Sequence, residues 1–241
     1  MLKACLNGAR QAREHRALPV TADALASDAV RVQQAGAQAL HLHVKDPAGR
    51  DTLVAASVDE TMQAVRAAVP TLPCGVTTGA WAEPDVTRRL QAVGSWSVLP
   101  DFASVNWHED GAEDVARALL DRGIGVEAGL WTLAAVRAWL RSPLRQECLR
   151  VLLELPDGLD RDATVRTADT LLAPLAGAVA GDRLLLHGEG TSTWPALRYA
   201  LRLGYDTRIG LEDTLLLPNG EVAPDNATLV LAAREQADRQ P

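Results

Sequence analysis

Leu40-His41-Leu42-His43-Val44, running on into Lys45-Asp46-Pro47-Ala48-Gly49, is the stretch that decides the fold. Side chains alternate faces along a strand, so His41 and His43 share one face while Leu40, Leu42 and Val44 share the other. The apolar residues before this stretch and the Asp-Pro-x-Gly turn after it bound a strand over 37–44, with both histidines at its C-terminal end. Two imidazoles so placed grip one cation or are satisfied by ordinary hydrogen bonds, and two ligands are only half of a zinc site. In an α/β barrel that end of a strand carries the chemistry.

Working outward, 2–6 is a short apolar strand candidate that ends in Asn7-Gly8-Ala9-Arg10, and an Ala-rich helix candidate follows as far as Gly36. Gly36 suits a helix stop. After the histidines, Ser57-Val58-Asp59-Glu60 reads as a capping-box start, with apolar residues at Val58, Met62, Val65 and Val69. Further strand candidates cover 73–78, 102–107, 123–129, 148–155, 183–187 and 206–211. Helix candidates lie between them: one beginning near Glu83-Pro84-Asp85, then 112–122, 131–140, 163–175 and 196–203, with 226–236 last. Eight strands alternating with eight helices through short connections predict an α/β fold, a (β/α)8 TIM barrel. An open doubly wound sheet is the alternative, but it would gather the polar residues at one crevice, and here they recur at the end of nearly every strand.

The length of 241 residues matches the roughly 250 of such a barrel, so one domain over 1–241 is expected. An apolar share of 47% supplies a core. The net charge of -7 and the lack of a long basic run argue against nucleic acid and anionic membrane as partners and favour a small solute. No charged segment leads into an apolar one at the start, and no apolar span approaches 20 residues, so a cytoplasmic protein is expected. Cys5, Cys74 and Cys148 are widely spaced and read as reduced core thiols. Lysine occurs only as Lys3 and Lys45, which leaves two candidates for any Schiff-base mechanism.

His41, His43, His108 and His187 all fall at predicted strand ends, and only His15 lies in a loop. On the eighth strand, Arg208 and Glu212 share parity and face the barrel interior together. Strands two and eight fill the same interior layers, which brings Glu212 within reach of a metal held by His41 and His43. Two histidines and a carboxylate leave zinc an open position, the catalytic pattern. A buried Arg208–Glu212 ion pair that only stabilises the barrel is the competing reading.

Five motifs together resemble the beta-keto acid cleavage enzyme family: His41-Leu42-His43-Val44-Lys45-Asp46 with Gly49, Thr77-Thr78-Gly79, Val105-Asn106, Arg208-Ile209-Gly210-Leu211-Glu212-Asp213, and Asn226-Ala227-Thr228-Leu229-Val230. The resemblance implies a zinc-dependent barrel, usually a homo-oligomer. Its reaction would be retro-Claisen exchange between a β-keto acid and acetyl-CoA, giving acetoacetate and a new acyl-CoA. It implies His41, His43 and Glu212 as ligands to Zn2+ or another divalent metal. Asp213 and Arg208 would form the proton-transfer pair, and Thr77 (with Thr78 beside it) and Asn106 would contact the substrate.

The chain departs from the family pattern at several points. Arg10 follows Gly8-Ala9 where the aminohexanoate-cleaving member has Glu, which predicts a substrate without an amino group and with a further anion. The fifth strand carries Glu127 and then Gly129 where two alternating carboxylates are usual. His108 and Glu109 replace small residues near the substrate, and His187 with Glu189 adds an imidazole and an acid of unassigned role. The turn containing Gly188, Gly190 and Thr191 precedes a helix and is the candidate contact for CoA or phosphate. Trp81, Trp107, Trp131 and Trp194 wall a pocket or pack against another subunit, and Lys45 forms a surface ion pair with Asp46 or Asp51. A CoA-independent metal aldolase or hydrolase, and an inactive metal-holding binding barrel, are the alternative functions.

Overall fold

A computed structural model describes residues 1–238. Eight parallel strands form one sheet: β1 (Leu2–Cys5), β2 (Ala39–Leu42), β3 (Cys74–Thr77), β4 (Phe102–Asn106), β5 (Gly125–Leu130), β6 (Arg150–Leu155), β7 (Leu184–Gly188) and β8 (Thr207–Ile209). Neighbours pair in sequence order, and β1 pairs with β8. A parallel bridge from Leu185 to Asp206, with Asp206 N–H donating to the Leu184 carbonyl at 3.0 Å, closes β7 onto β8. The fold is a (β/α)8 barrel, as the alternation predicted.

The outer layer is α1 (Ala22–Gln34), α2 (Ala55–Ala68), α3 (Val86–Ser95), α4 (Ala112–Leu120), α5 (Leu133–Arg141), α6 (Arg161–Leu172), α7 (Thr193–Leu203) and α8 (Asn226–Asp238). Thr21, Asp85, Thr132 and Asp160 cap α1, α3, α5 and α6 by accepting from backbone N–H groups that the helix leaves free. The expected capping box on α2 does not form. That helix starts at Ala55, and the Asp59 carboxylate instead accepts from the N–H groups of Ser97 and Val98 at 2.8 and 3.0 Å. Ser57 therefore lies inside the first turn, where it cannot act as the N-cap.

Aliphatic side chains such as Leu25, Met62, Leu119 and Leu197, with the indoles of Trp96 and Trp139, fill the space between helices and sheet. Each such side chain contributes about 1.5–3 kcal/mol by burial. The inside of the barrel is charged at its lower end. The N-terminal ammonium meets Asp206 at 2.6 Å, Asp206 meets Arg150 at 3.1 Å, Arg150 meets Glu127 at 3.2 Å, and Glu127 meets Lys3 at 2.5 Å. Lys3 and Glu127 are fully buried, so their pairing is what makes burial of either tolerable. This ladder plugs the barrel beneath the mouth.

Strand β2 is shorter than expected, for a reason that bears on the site. Beyond Leu42 the backbone leaves the ladder, and the buried Asn7 side chain takes over as a pairing partner. Its Oδ1 accepts from the His43 N–H and its Nδ2 donates to the His43 carbonyl, both at 2.8 Å. No helix among the described residues is long and apolar enough to cross a membrane.

Candidate active site

The C-terminal ends of the strands surround a cavity of about 410 Å3 whose walls include His41, His43, Thr77, Asn106, Glu154, Arg208 and Glu212. His41 projects from β2, His43 from the segment clamped by Asn7, and Glu212 from the turn after β8. Glu212 Oε1 lies 3.9 Å from His41 Nε2 and 3.7 Å from His43 Nε2. One donor atom from each residue falls within 4.8 Å of the others. His41 Nδ1 and Glu212 Oε2 are buried without a hydrogen-bond partner, and burial holds the His41 imidazole well below its ordinary pKa, hence neutral. Burial would raise Glu212, but the Arg208 guanidinium carries it below the usual carboxylate range. Two imidazoles and a carboxylate with one orphaned, buried oxygen fit a divalent metal ion.

Backbone geometry holds these groups in place. Gly8 has φ +57°, and a Cβ there would lie 2.5 Å from Glu212 Cγ, so only glycine lets the β1 loop cross behind the carboxylate. Asn226 of α8 donates to the Leu6 carbonyl at 2.8 Å and accepts from the Leu211 N–H at 2.7 Å, tying the ends of β1 and β8 together beside Glu212. Asp51 supports His43. Its Oδ2 lies 2.8 Å from His43 Nδ1 and accepts from Trp81 Nε1 at 2.7 Å, while its Oδ1 pairs with Lys45 Nζ. A carboxylate on Nδ1 makes that nitrogen the proton carrier and leaves Nε2 as the metal donor. Trp81 also stacks on the His43 ring, with centroids 5.8 Å apart and planes 16° apart.

Arg208 is 3% exposed and reaches both acids of the eighth-strand motif, Glu212 Oε1 at 2.9 Å and Asp213 Oδ1 at 2.7 Å. Asp213 is fully buried, a setting that raises a carboxyl, yet Arg208 and His187 hold it below its ordinary value. His187 lies between two carboxylates, Glu154 Oε2 at 3.3 Å from Nε2 and Asp213 Oδ1 at 3.5 Å from Nδ1. Arg208 Nε lies 3.1 Å from both His187 Nδ1 and Asp213 Oδ1. The imidazolium form serves both carboxylates, with Arg208 Nε donating to Asp213 rather than to His187 Nδ1. Burial and the Arg208 charge oppose that form, but bonds to Asp213 and Glu154 outweigh them and raise His187. Glu189 lies beside Glu154, and burial together with that neighbouring charge lifts its carboxyl to about 7.

A family model for the beta-keto acid cleavage enzyme matches residues 1–240. The chain belongs to this family. The 3-keto-5-aminohexanoate cleavage enzyme of Fusobacterium nucleatum subsp. nucleatum is 23% identical over 243 residues, covering 95% of this chain and 88% of that one. Among solved structures, ObcA in a ternary complex with a C4-CoA adduct and oxalate superposes with a TM-score of 0.70 at 19% identity. The match covers 91% of this chain and 63% of that one. This chain therefore spans less than two thirds of ObcA. KGPDC from Streptococcus mutans shares the fold at a TM-score of 0.56, 11% identity, and 99% and 97% coverage.

In this beta-keto acid cleavage enzyme family member, the structure brings together His41, His43, Glu212, Arg208 and Asp213, with Arg10, Thr77 and Asn106 on the same cavity. Other expected site residues lie elsewhere. Thr78 turns away and donates to the Ser104 carbonyl at 2.7 Å. His108 is exposed and rests against the Trp131 ring at 4.7 Å. Glu109 is held by the buried Arg89 at 2.6 Å and accepts from Asn106 Nδ2 at 2.9 Å, so it orients Asn106 rather than facing the cavity. Glu127 belongs to the charged ladder below. Gly129 leaves room for Asn106, whose Oδ1 would lie 2.5 Å from a Cβ at that position.

The turn with Gly188, Gly190 and Thr191 is not a phosphate cradle. Its N–H groups are spent: Gly190 on the Asp213 carbonyl at 2.8 Å, Thr191 on Asp157 Oδ1 at 2.7 Å, and Ser192 on the Glu189 carbonyl at 3.0 Å. Asp157 and Glu189 also repel an anion there. Lys45 pairs with Asp51 as one of the two expected partners, but it is buried, not on the surface. Trp81 and Trp131 line the cavity, while Trp107 and Trp194 are core residues.

Sequence reasoning assigned no site role to Asn7 or Glu154, and Asp51 only a pairing with Lys45. Glu154 alone left a signal, as the one acid in the apolar run of β6, on the inward parity.

Proposed function

We propose that this chain is a zinc-dependent enzyme that cleaves a β-keto acid with acetyl-CoA, by retro-Claisen exchange to acetoacetate and an acyl-CoA. The observation that carries the reading is the convergence of His41, His43 and Glu212 beside the Arg208–Asp213 pair in one cavity. It is supported by family membership and by the similar fold of ObcA, solved in complex with a C4-CoA adduct and oxalate. Zinc bound by the three side chains would supply Lewis acidity toward the keto and carboxylate oxygens of the substrate.

The remaining roles fall to the chain's own groups. Asp213 is kept ionised by Arg208 and stands next in sequence to Glu212, so it is the proton acceptor and donor of the reaction. Arg208 fixes the orientation of both acids through one guanidinium. Thr77 and Asn106 offer hydroxyl and amide contacts to substrate, and Trp81 and Trp131 wall the space around its reacting carbonyl. Arg10 faces the mouth with Nε on the Leu211 carbonyl at 2.6 Å, which favours a substrate with a second anionic group. Full turnover of a cationic β-keto acid, unchanged in Arg10→Ala, would remove that preference.

The test is a panel of β-keto acids incubated with acetyl-CoA and analysed for acyl-CoA and acetoacetate, with His43→Ala as control. Thioester formation by the unaltered protein, abolished in the variant, is expected. Cleavage without thioester would replace the reading by a CoA-independent lyase, and activity surviving in His43→Ala would remove the metal from it.

A further inference from the structure

We propose that the phosphate-bearing part of the co-substrate docks in a cleft on the β1–β2 side of the mouth, held by Arg13 and Arg50, with its reacting end passing Trp81 into the metal pocket. The inference rests on the CoA reading above. A cleft of about 650 Å3 is lined by Gln11, Arg13, Gly49, Arg50, Asp51 and Trp81, and it shares Ala9 and Trp81 with the reaction cavity. The two spaces are adjoining, so one extended ligand can occupy both.

The distribution of charge decides which side of the mouth takes an anion. On the β6–β7 side the wall presents Glu154, Asp157 and Glu189, and the N–H groups of its turn are already used. On the β1–β2 side the acids are spoken for. Asp51 is bonded to Lys45, His43 and Trp81, Asp46 is bonded to Arg50 and to the N–H groups of Ala48 and Arg50, and Glu14 pairs with Arg10 at 3.2 Å. Arg13 is exposed and makes no hydrogen bond or salt bridge among the described residues, its charge acting only at longer range on the Glu14 carboxylate. Arg50 is 80% exposed and reaches Asp46 through Nε and one terminal nitrogen, which leaves its other terminal nitrogen for a ligand. Guanidinium groups match phosphate in geometry and remain charged at every working pH. On a chain of net charge -7 they form a local positive route for a polyanion.

The experiment measures the affinity of the metal-loaded protein for coenzyme A by calorimetry at two salt concentrations. It also measures the KM for acetyl-CoA and for the β-keto acid. The Arg13→Glu/Arg50→Glu double variant is expected to bind coenzyme A at least tenfold more weakly, with a flatter salt dependence. The KM for the keto acid and the zinc content should not change. Arg141→Glu, an exposed charge reversal on α5, should leave all of these as in the unaltered protein. Unchanged coenzyme A affinity in the double variant overturns the docking site and leaves the reaction assignment standing. Absence of coenzyme A binding by the unaltered protein overturns both. Inorganic phosphate competing as well as adenosine 3′,5′-bisphosphate would make the cleft a general anion patch and also overturn the proposal.

Discussion

Asp51→Asn tests the support behind the metal site most directly. In the native arrangement Asp51 Oδ2 takes His43 Nδ1 and Trp81 Nε1 at 2.8 and 2.7 Å, and Oδ1 takes the Lys45 ammonium. An asparagine offers one acceptor and one donor edge. If its carbonyl faces Lys45, its NH2 opposes two N–H groups; if it faces His43 and Trp81, the NH2 opposes an ammonium. Either way the charge is lost and at least one buried donor is left without an acceptor. A charge-assisted hydrogen bond of this kind contributes about 1.5–3 kcal/mol, and the matching loss in metal affinity is about 10–100-fold. The assay is a zinc titration of metal-free protein against a chromophoric chelator, with thermal unfolding of the metal-free protein alongside to separate affinity from folding. The expected result is zinc affinity at least tenfold weaker, in a protein that still unfolds cooperatively. Zinc binding within twofold of the unaltered protein would mean that Asn7 and barrel packing alone orient His43, and the role given to Asp51 would be wrong.

Three further outcomes are expected. Glu189 stays protonated to about 7 in the fold but ionises from 4.5 in the unfolded chain, so its stabilising contribution is complete below pH 4.5 and is lost as pH rises to about 7. At 1.36 kcal/mol per pH unit this interval bounds the loss at about 3.4 kcal/mol, reduced to roughly 1–2 kcal/mol by solvent in the open cavity. Glu189→Gln should therefore be more stable than the unaltered protein at pH 8 and no more stable at pH 4, as read by denaturant unfolding; a pH-independent difference would refute the shift. Lys3→Met leaves Glu127 with only the Arg150 contact in the barrel floor and should cost about 3 kcal/mol in urea unfolding with zinc affinity intact; a loss below 1 kcal/mol would show that the ladder is not needed. Gly8→Ala adds about 1–2 kcal/mol of left-handed backbone strain and a Cβ against Glu212, so zinc affinity and melting temperature should fall together. A drop in melting temperature alone would show that Glu212 moves aside without harm to the site.

Much of the architecture was legible because it rests on local patterns. The apolar strands, their turn residues and the helices between them repeat at spacings that a barrel requires, and the parity of His41 with His43 follows from strand geometry alone. The reach of Glu212 to those histidines was inferred from which strands share a barrel layer, and the structure places the three together. Misreadings arose where one residue type has two local uses. The glycine-rich turn at 188–193 has the composition of an anion loop, but Asp157 supplies the anion from another loop, 31 and 33 residues earlier than Gly188 and Gly190. Glu127 sits on the expected inward face of β5, but one layer too low, opposite Lys3. Parity fixes the face of a strand and says nothing about depth along the barrel.

By itself the sequence determined the alternation of strands and helices, the inward face of β2, and the shared parity of Arg208 and Glu212. Only the tertiary structure decided what holds those residues in register. Asn7 reaches His43 across 36 positions, Glu127 reaches Lys3 across 124, and Asn226 reaches Leu6 across 220. Such contacts exist only once strands far apart in sequence have come together in the barrel. Their energies come from satisfying buried polar groups that a strand or helix pattern does not specify.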